Sequence, residues 1–224
     1  TSRVRDKHLV DTLLDFNIEI KRIFAPEHGF RGKADAGVKV EDSKDQSTGI
    51  PLISLYGKNK KPTEEQLNDL DIVVFDIQDV GCRFYTYIST LTYVMEACAQ
   101  KGIPVIILDR PNPNGHYIDG PVLKSEFSSF VGLHSVPVVY GMTIAEYGKM
   151  VNGEQWMQDG IQCDLTIIEC LDYTHKWSEE LPVAPSPNLP NHRSVLLYPS
   201  LCFFEGTVVS IGRGTDSPFQ HIGH

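Results

Sequence analysis

Residues 26–32 run Pro26, Glu27, His28, Gly29, Phe30, Arg31, Gly32, directly after an apolar stretch from Ile18 to Ala25. Side chains suited to a buried strand thus give way at once to a carboxylate, an imidazole and a guanidinium. The pattern recurs twice. Val73, Val74 and Phe75 lead into Asp76, Gln78, Asp79 and Arg83, and residues 105–108 (Val, Ile, Ile, Leu) lead into Asp109, Arg110, Pro111 and Asn112. In open α/β sheets, ligands bind beyond the carboxyl ends of the strands, so three strands releasing acids and arginines at one end describe one active-site rim. Carboxylates beside arginines, tyrosines and amides suit a hydroxyl-rich ligand such as a sugar. Glycoside hydrolysis uses a carboxylic acid to protonate the leaving oxygen and a second group to stabilise or activate.

Glu27 is the candidate acid, because Gly29 lets the backbone turn sharply and bring the carboxylate to the surface. An ion pair with Arg31, four residues on, explains Glu27 equally well. Asp79 and Arg83 are also four apart, the spacing of a structural pair at a helix entrance. Tyr85 and Tyr87 alternate. If extended they share a face and form a platform for a sugar ring; otherwise they pack in the core. Residues 109–115 are first of all a turn, with Asp109 and Asn112 at the end of a strand where a ligand would bind. Glu205 and Arg213 sit among small residues, and Gly212 and Gly214 would let backbone amides approach an anion. Four prolines between Pro182 and Pro190 enforce an extended path, either a plain surface connection or a loop that lays Asn188 across the cleft.

Several familiar chemistries lack their motifs. There is no GxGxxG after the first strand, no Walker A loop, no GxSxG and no HExxH. His28, Asp76, Asp79 and Asp109 carry no ligand spacing within one element, so neither a metal nor a cofactor is assigned. A net charge of −9 over 224 residues argues against nucleic acid. It leaves room for a small anion, since Arg31, Arg83, Arg110 and Arg213 supply local positive charge. The five cysteines form no CxxC pair, which argues against a disulfide framework or a structural zinc. No apolar run approaches the ~20 residues of a membrane span.

The elements that must position these groups alternate. Helical spacing covers residues 6–16, and a strand covers 18–25. A long polar loop is expected over 31–50, then a strand over 51–56. A capping box at Thr63–Gln66 opens a short helix. A central strand spans 71–77. A helix spans 86–101 with Ile88, Leu91, Val94, Met95 and Cys98 inward and Gly102 as its stop. Pro104 starts the next strand, and a second capping box at Thr143–Glu146 opens a helix ending near Gly153. A last strand carries Leu165, Ile167 and Glu169. Strand–helix–strand alternation is the pattern of a parallel sheet with right-handed crossovers.

Seven segments in series, PEHGFRG, SLYGKNKKPT, FDIQDVGCRFYTYI, LDRPNPNG, SPNLP, EGT and GRGT, resemble the exo-β-N-acetylmuramidases, a bacterial family once known only as a domain of unknown function. The resemblance runs from residue 1 to 224. It implies an α/β fold with a Rossmann-like, mostly parallel sheet and helices on both faces. The whole of 1–224 is expected to be the catalytic domain, without the family's first strand and C-terminal domain. It implies release of N-acetylmuramic acid from the non-reducing end of peptidoglycan fragments, and an exported protein. The resemblance makes Glu27 the catalytic glutamate. The second group stays open among Asp76, Asp79, Asp109, Glu205 and the substrate's own acetamido group, with Asp79 carried forward. Muramic acid bears a lactyl carboxylate, for which Arg31, Arg83 or Arg213 is the expected partner. The remaining candidate contacts are His28, Gln78, Tyr85, Asn112 and Asn188. A non-catalytic muropeptide- or sugar-binding module would use the same rim, and a metal-dependent hydrolase is a third possibility.

Overall fold

The computed structural model describes residues 3–4, 6–27, 30, 42–177 and 179–223; His28, Arg31 and residues 31–41 of the expected loop lie outside them. The chain forms two compact units. One comprises residues 1–77, 90–108 and 151–168, and the other 78–89, 109–150 and 169–224.

The first unit opens with an antiparallel pair, β1 (Arg3–Val4) and β2 (Lys7–His8), followed by α1 (Leu9–Asp15). His8 caps that helix, its Nδ1 accepting from the Val10 amide at 3.2 Å. Next come β3 (Ile23–Ala25), β4 (Ser43–Lys44) and β5 (Pro51–Ser54), in sheet order β3-β5-β4. β3 and β5 are parallel, in a register that sets Ala25 opposite Ser54. β4 is antiparallel to β5. The strand expected over 18–25 is thus only its last three residues. Glu19 and Lys21 pair with each other in solvent, and Ile18 is exposed. The polar stretch expected as loop contributes a short strand.

Thr63 and Gln66 form the expected reciprocal cap on α2 (Glu64–Leu67). β6 (Val73–Phe75), β7 (Val105–Leu108) and β8 (Leu165–Ile168) then make a second, wholly parallel sheet in the order β6-β7-β8. The α/β class with parallel pairing holds. The pairing is nevertheless divided among separate ladders, and β6 is an edge strand of its ladder rather than a central one. Its Val74 side chain is 41% exposed, whereas Val105 and Ile107 of β7 are fully buried.

α3 (Tyr87–Lys101) follows the polar burst after β6. Ile88, Leu91, Met95 and Cys98 are all fully buried, so the helical stripe read from spacing is the inward face. Gly102, at φ +69°, ends the helix, and the Ile103 amide returns to Cys98 O at 2.9 Å. Glu96, also buried, pairs with Lys61 at 2.5 Å and accepts from the Gln158 amide at 2.9 Å. α4 (Ile144–Gly153) begins at the second capping box, where Thr143 and Glu146 exchange backbone-to-side-chain bonds of 2.8 and 3.2 Å. α5 (His192–Leu201), absent from the sequence reading, has a box of its own between Asn191 and Ser194.

Because Leu91 is sealed on all sides, Leu91→Ala should cost about 2–5 kcal/mol through lost burial and the cavity left behind. Urea unfolding followed by circular dichroism measures it. A loss below about 1 kcal/mol would mean that this face is not core.

Candidate functional site

Glu27 and Asp76 belong to the first unit. Glu27 lies two residues past the end of β3, and Tyr56 lies two residues past the end of its parallel neighbour β5. The shared register carries the two side chains forward together, and the Tyr56 hydroxyl donates to Glu27 Oε1 at 3.1 Å. Glu27 is half-buried, and so is Asp76, one residue beyond β6. A carboxyl held by a phenol at the carboxyl end of a parallel strand pair is suited to proton transfer. His28 and Arg31 fall on residues outside those described.

Gln78, Asp79, Arg83, Tyr85, Asp109, Asn112, Asn188, Glu205 and Arg213 all belong to the second unit. Asp79 is buried and forms its centre. Its Oδ2 accepts from the Gly81 amide at 2.7 Å and from the Tyr140 hydroxyl. Its other oxygen has no hydrogen bond of ordinary geometry. Burial raises the carboxyl to about 6, against the hydrogen bonds from Tyr140, Gly81 and the Val80 amide, which pull it down. A carboxyl that exchanges its proton near neutrality matches what acid–base chemistry needs.

The turn around Asp79 is locked by amides. Gly81 has φ +72°, and a Cβ there would lie 2.2 Å from Asn112 Oδ1, so only glycine fits. Asn112 donates to Met142 O at 2.8 Å and accepts from the Asn114 amide at 2.8 Å. Asn114, fully buried, donates to Val80 O and Val195 O at 2.9 and 3.2 Å. Gln78 Nε2 donates to Asp79 O and Pro111 O at 2.7 and 2.8 Å. Asp109 Oδ1 accepts from the Arg110 and Ala145 amides, fastening the first turn of α4. Burial raises the Asp109 pKa, and these backbone bonds oppose it. Gln78, Asp109 and Asn112 therefore build the rim by bracing its backbone.

Arg83 makes no ion pair with Asp79 or any other described carboxylate. It is buried, with 5% of its surface exposed, and Nη1 donates to Val136 O at 2.7 Å and more loosely to Pro121 O at 3.5 Å. Its Nε has no partner among the described residues. Gly132 leaves room for it, since a Cβ there would stand 3.3 Å from Arg83 Cδ. Burial lowers its pKa, as expected for a desolvated cation. The helix-entrance pair expected from the four-residue spacing does not form; Arg83 turns to the Val136 carbonyl, and Asp79 Oδ2 accepts from Tyr140 and Gly81.

Three further expectations are corrected. Tyr85 and Tyr87 are not an exposed platform. Both are buried, their rings meet edge to face at 4.9 Å, and Tyr85 also meets Tyr198 at 5.9 Å while donating to Pro185 O at 2.9 Å. α3 begins at Tyr87, so the extended alternation stops there. Arg213 is already paired with Glu205 at 2.6 Å on a partly exposed surface, which leaves neither as a free contact. Asn188 is half-buried in a tight turn closed by Leu189 N to Ser186 O at 3.0 Å, so the proline-rich segment bends instead of running extended.

Sequence reasoning missed Tyr140. The signal available was the alternation of Val136, Val138 and Tyr140, all of them buried. It also missed His175, whose Nε2 meets Glu146 Oε1 at 3.1 Å and whose Nδ1 meets Gly115 O at 3.3 Å. Burial alone would lower its pKa, but Glu146 and the carbonyls outweigh it and the net shift is upward. Among the described residues no group of three metal-ligating side chains converges.

Comparison with known proteins agrees with the motif series. The family model described as exo-β-N-acetylmuramidase NamZ, N-terminal, matches residues 1–193, and its C-terminal counterpart matches 196–224. The chain is 48% identical over 223 residues to the peptidoglycan β-N-acetylmuramidase NamZ of Bacillus subtilis (strain 168), covering 97% of this chain and 53% of that protein. It spans about half the length of that curated relative. A crystal structure of a DUF1343 family protein from Bacteroides fragilis superimposes with a TM-score of 0.90 at 50% identity, over 99% of this chain and 59% of that one. A second from the same organism gives 0.86 at 38% identity, over 96% and 56%. With both family models in register along its length and half its residues shared with such relatives, the chain belongs to the NamZ family of exo-β-N-acetylmuramidases.

Proposed function

We propose that the protein is a glycoside hydrolase that removes N-acetylmuramic acid from the non-reducing end of peptidoglycan fragments, and that it works outside the cytoplasm, where such fragments arise. Glu27 is the general acid of this reading. The Tyr56 hydroxyl at 3.1 Å orients its carboxyl toward one geometry. General acid–base assistance is worth about 10²–10⁴ in rate. Within the second unit, Asp79, its pKa raised to about 6 by burial, is the carboxyl whose titration suits acid–base work.

The observation that carries the substrate assignment is Arg83. A buried guanidinium with no carboxylate partner and an unspent Nε among the described residues is costly unless an anion completes it. A muramic residue differs from a glucosamine residue by its lactyl carboxylate, and Arg matches a carboxylate fork to fork. Of the three arginines expected to meet that group, Arg213 is already spent on Glu205, and Arg31 lies outside the described residues.

Turnover of a chromogenic β-N-acetylmuramide beside its glucosaminide analogue tests the assignment. Glu27→Gln should lower kcat by about 10²–10⁴ while leaving ligand affinity within a few-fold. Unchanged turnover would remove Glu27 from the chemistry, and retained binding with no wild-type turnover would identify a binding module. Arg83→Lys should raise KM for the muramide by about 10–100-fold, the loss of one charge-assisted pair. Equal KM values for wild type and variant would take the lactyl group away from Arg83.

A further inference from the structure

Cys82 and Cys202 are 120 residues apart in the chain, yet their sulfurs lie 3.9 Å from each other, both buried. The contact is not isolated. Phe84 and Phe203 meet edge to face at 5.3 Å, and Tyr85 and Tyr198 at 5.9 Å, so residues 82–85 and 198–203 run side by side. Cys82 is further held by an antiparallel bridge to Val139, and the neighbouring Arg83 amide donates to Val138 O at 2.8 Å. Cys202 follows directly on α5, its thiol directed at Pro199 O at 3.5 Å.

We propose that Cys82 and Cys202 are a redox-active pair that closes to a disulfide, stapling the Asp79–Arg83 segment to the end of α5. In family terms the staple joins the N-terminal module to the first residues of the C-terminal one. A disulfide needs its sulfurs at about 2.05 Å, so closure requires a shift of about 2 Å, within reach of side-chain torsions at two neighbouring sites. The oxidant is a disulfide, RSSR, of a small thiol or a thiol oxidoreductase. One cysteine displaces the first RSH and forms a mixed disulfide; the second attacks that sulfur and releases the second RSH. Two thiols are thereby oxidised, one disulfide is reduced, and both protons leave on the RSH products. The Cys82 contact and burial push the Cys202 thiol far above the ordinary range. Both thiols are buried, so closure proceeds while the chain folds or when these segments part.

The test uses the protein in two arms, native and refolded from urea, each held in a buffer of oxidised and reduced glutathione. Free thiols are alkylated and the peptides mapped by mass spectrometry. The expected product in the refolded arm is a Cys82–Cys202 linked peptide, with Cys98, Cys163 and Cys170 alkylated, and no internal link in Cys202→Ser. Five alkylated cysteines in both arms, or a dominant link that omits either partner, would overturn the proposal.

Discussion

The second unit is organised around one buried carboxyl. Asp79 takes a phenol from Tyr140 and an amide from Gly81, and the turn this creates is closed enough that Asn112 occupies the space of a side chain at position 81. Asn112 and Asn114 extend the same lock to Met142, Val80 and Val195. Chain segments far apart in sequence are thus tied by polar bonds that exclude water. Each is worth only about 1 kcal/mol when made, but leaving one unmade in a dry interior costs more. The site's backbone is therefore held mainly by what would be lost if a partner moved.

Among the described residues, the arrangement leaves Arg83 without a carboxylate partner. With Asp79 committed to Tyr140 and Gly81, Arg83 is left to carbonyl oxygens. A buried ion without its counter-ion is a poor device for stability and a good one for recognising an anion. In the first unit, the parallel register of β3 and β5 performs the corresponding task with fewer parts, bringing Glu27 and Tyr56 forward together. Strand pairing positions one carboxyl and an amide-braced turn positions the other.

What was legible in the sequence was local. The inward stripe of α3, its stop at Gly102 and the boxes at Thr63 and Thr143 depend on residues within one or two turns, and they stand as read. The family was legible too, because its motifs are contiguous. What failed was non-local. β6 reads as a central strand from its apolar run, but edge or centre is decided by its neighbours in the sheet. Tyr85 and Tyr87 alternate like strand residues, although a helix starts at the second. Tyr140 lies 61 residues from Asp79, and Cys202 lies 120 from Cys82, so neither pairing leaves a mark within a window of sequence. The Arg83–Asp79 pair had the right spacing, but the fold turns Arg83 to backbone carbonyls instead.

The buried carboxyl also ties the fold to pH. Its folded pKa, about 6, lies above the ordinary 3.8, so the folded state holds this proton longer than the unfolded chain does. The stability this group contributes is full below the lower value and is lost as pH rises through the upper one, by about 3 kcal/mol. The direct measurement is the carbon-13 shift of the Asp79 carboxyl against pH, assigned by its absence in Asp79→Asn. A midpoint near 6 in the wild type, moving higher in Tyr140→Phe as the lowering hydrogen bond goes, is the expected result. A midpoint in the ordinary range near 4, unmoved by Tyr140→Phe, would contradict the burial on which the second unit is built.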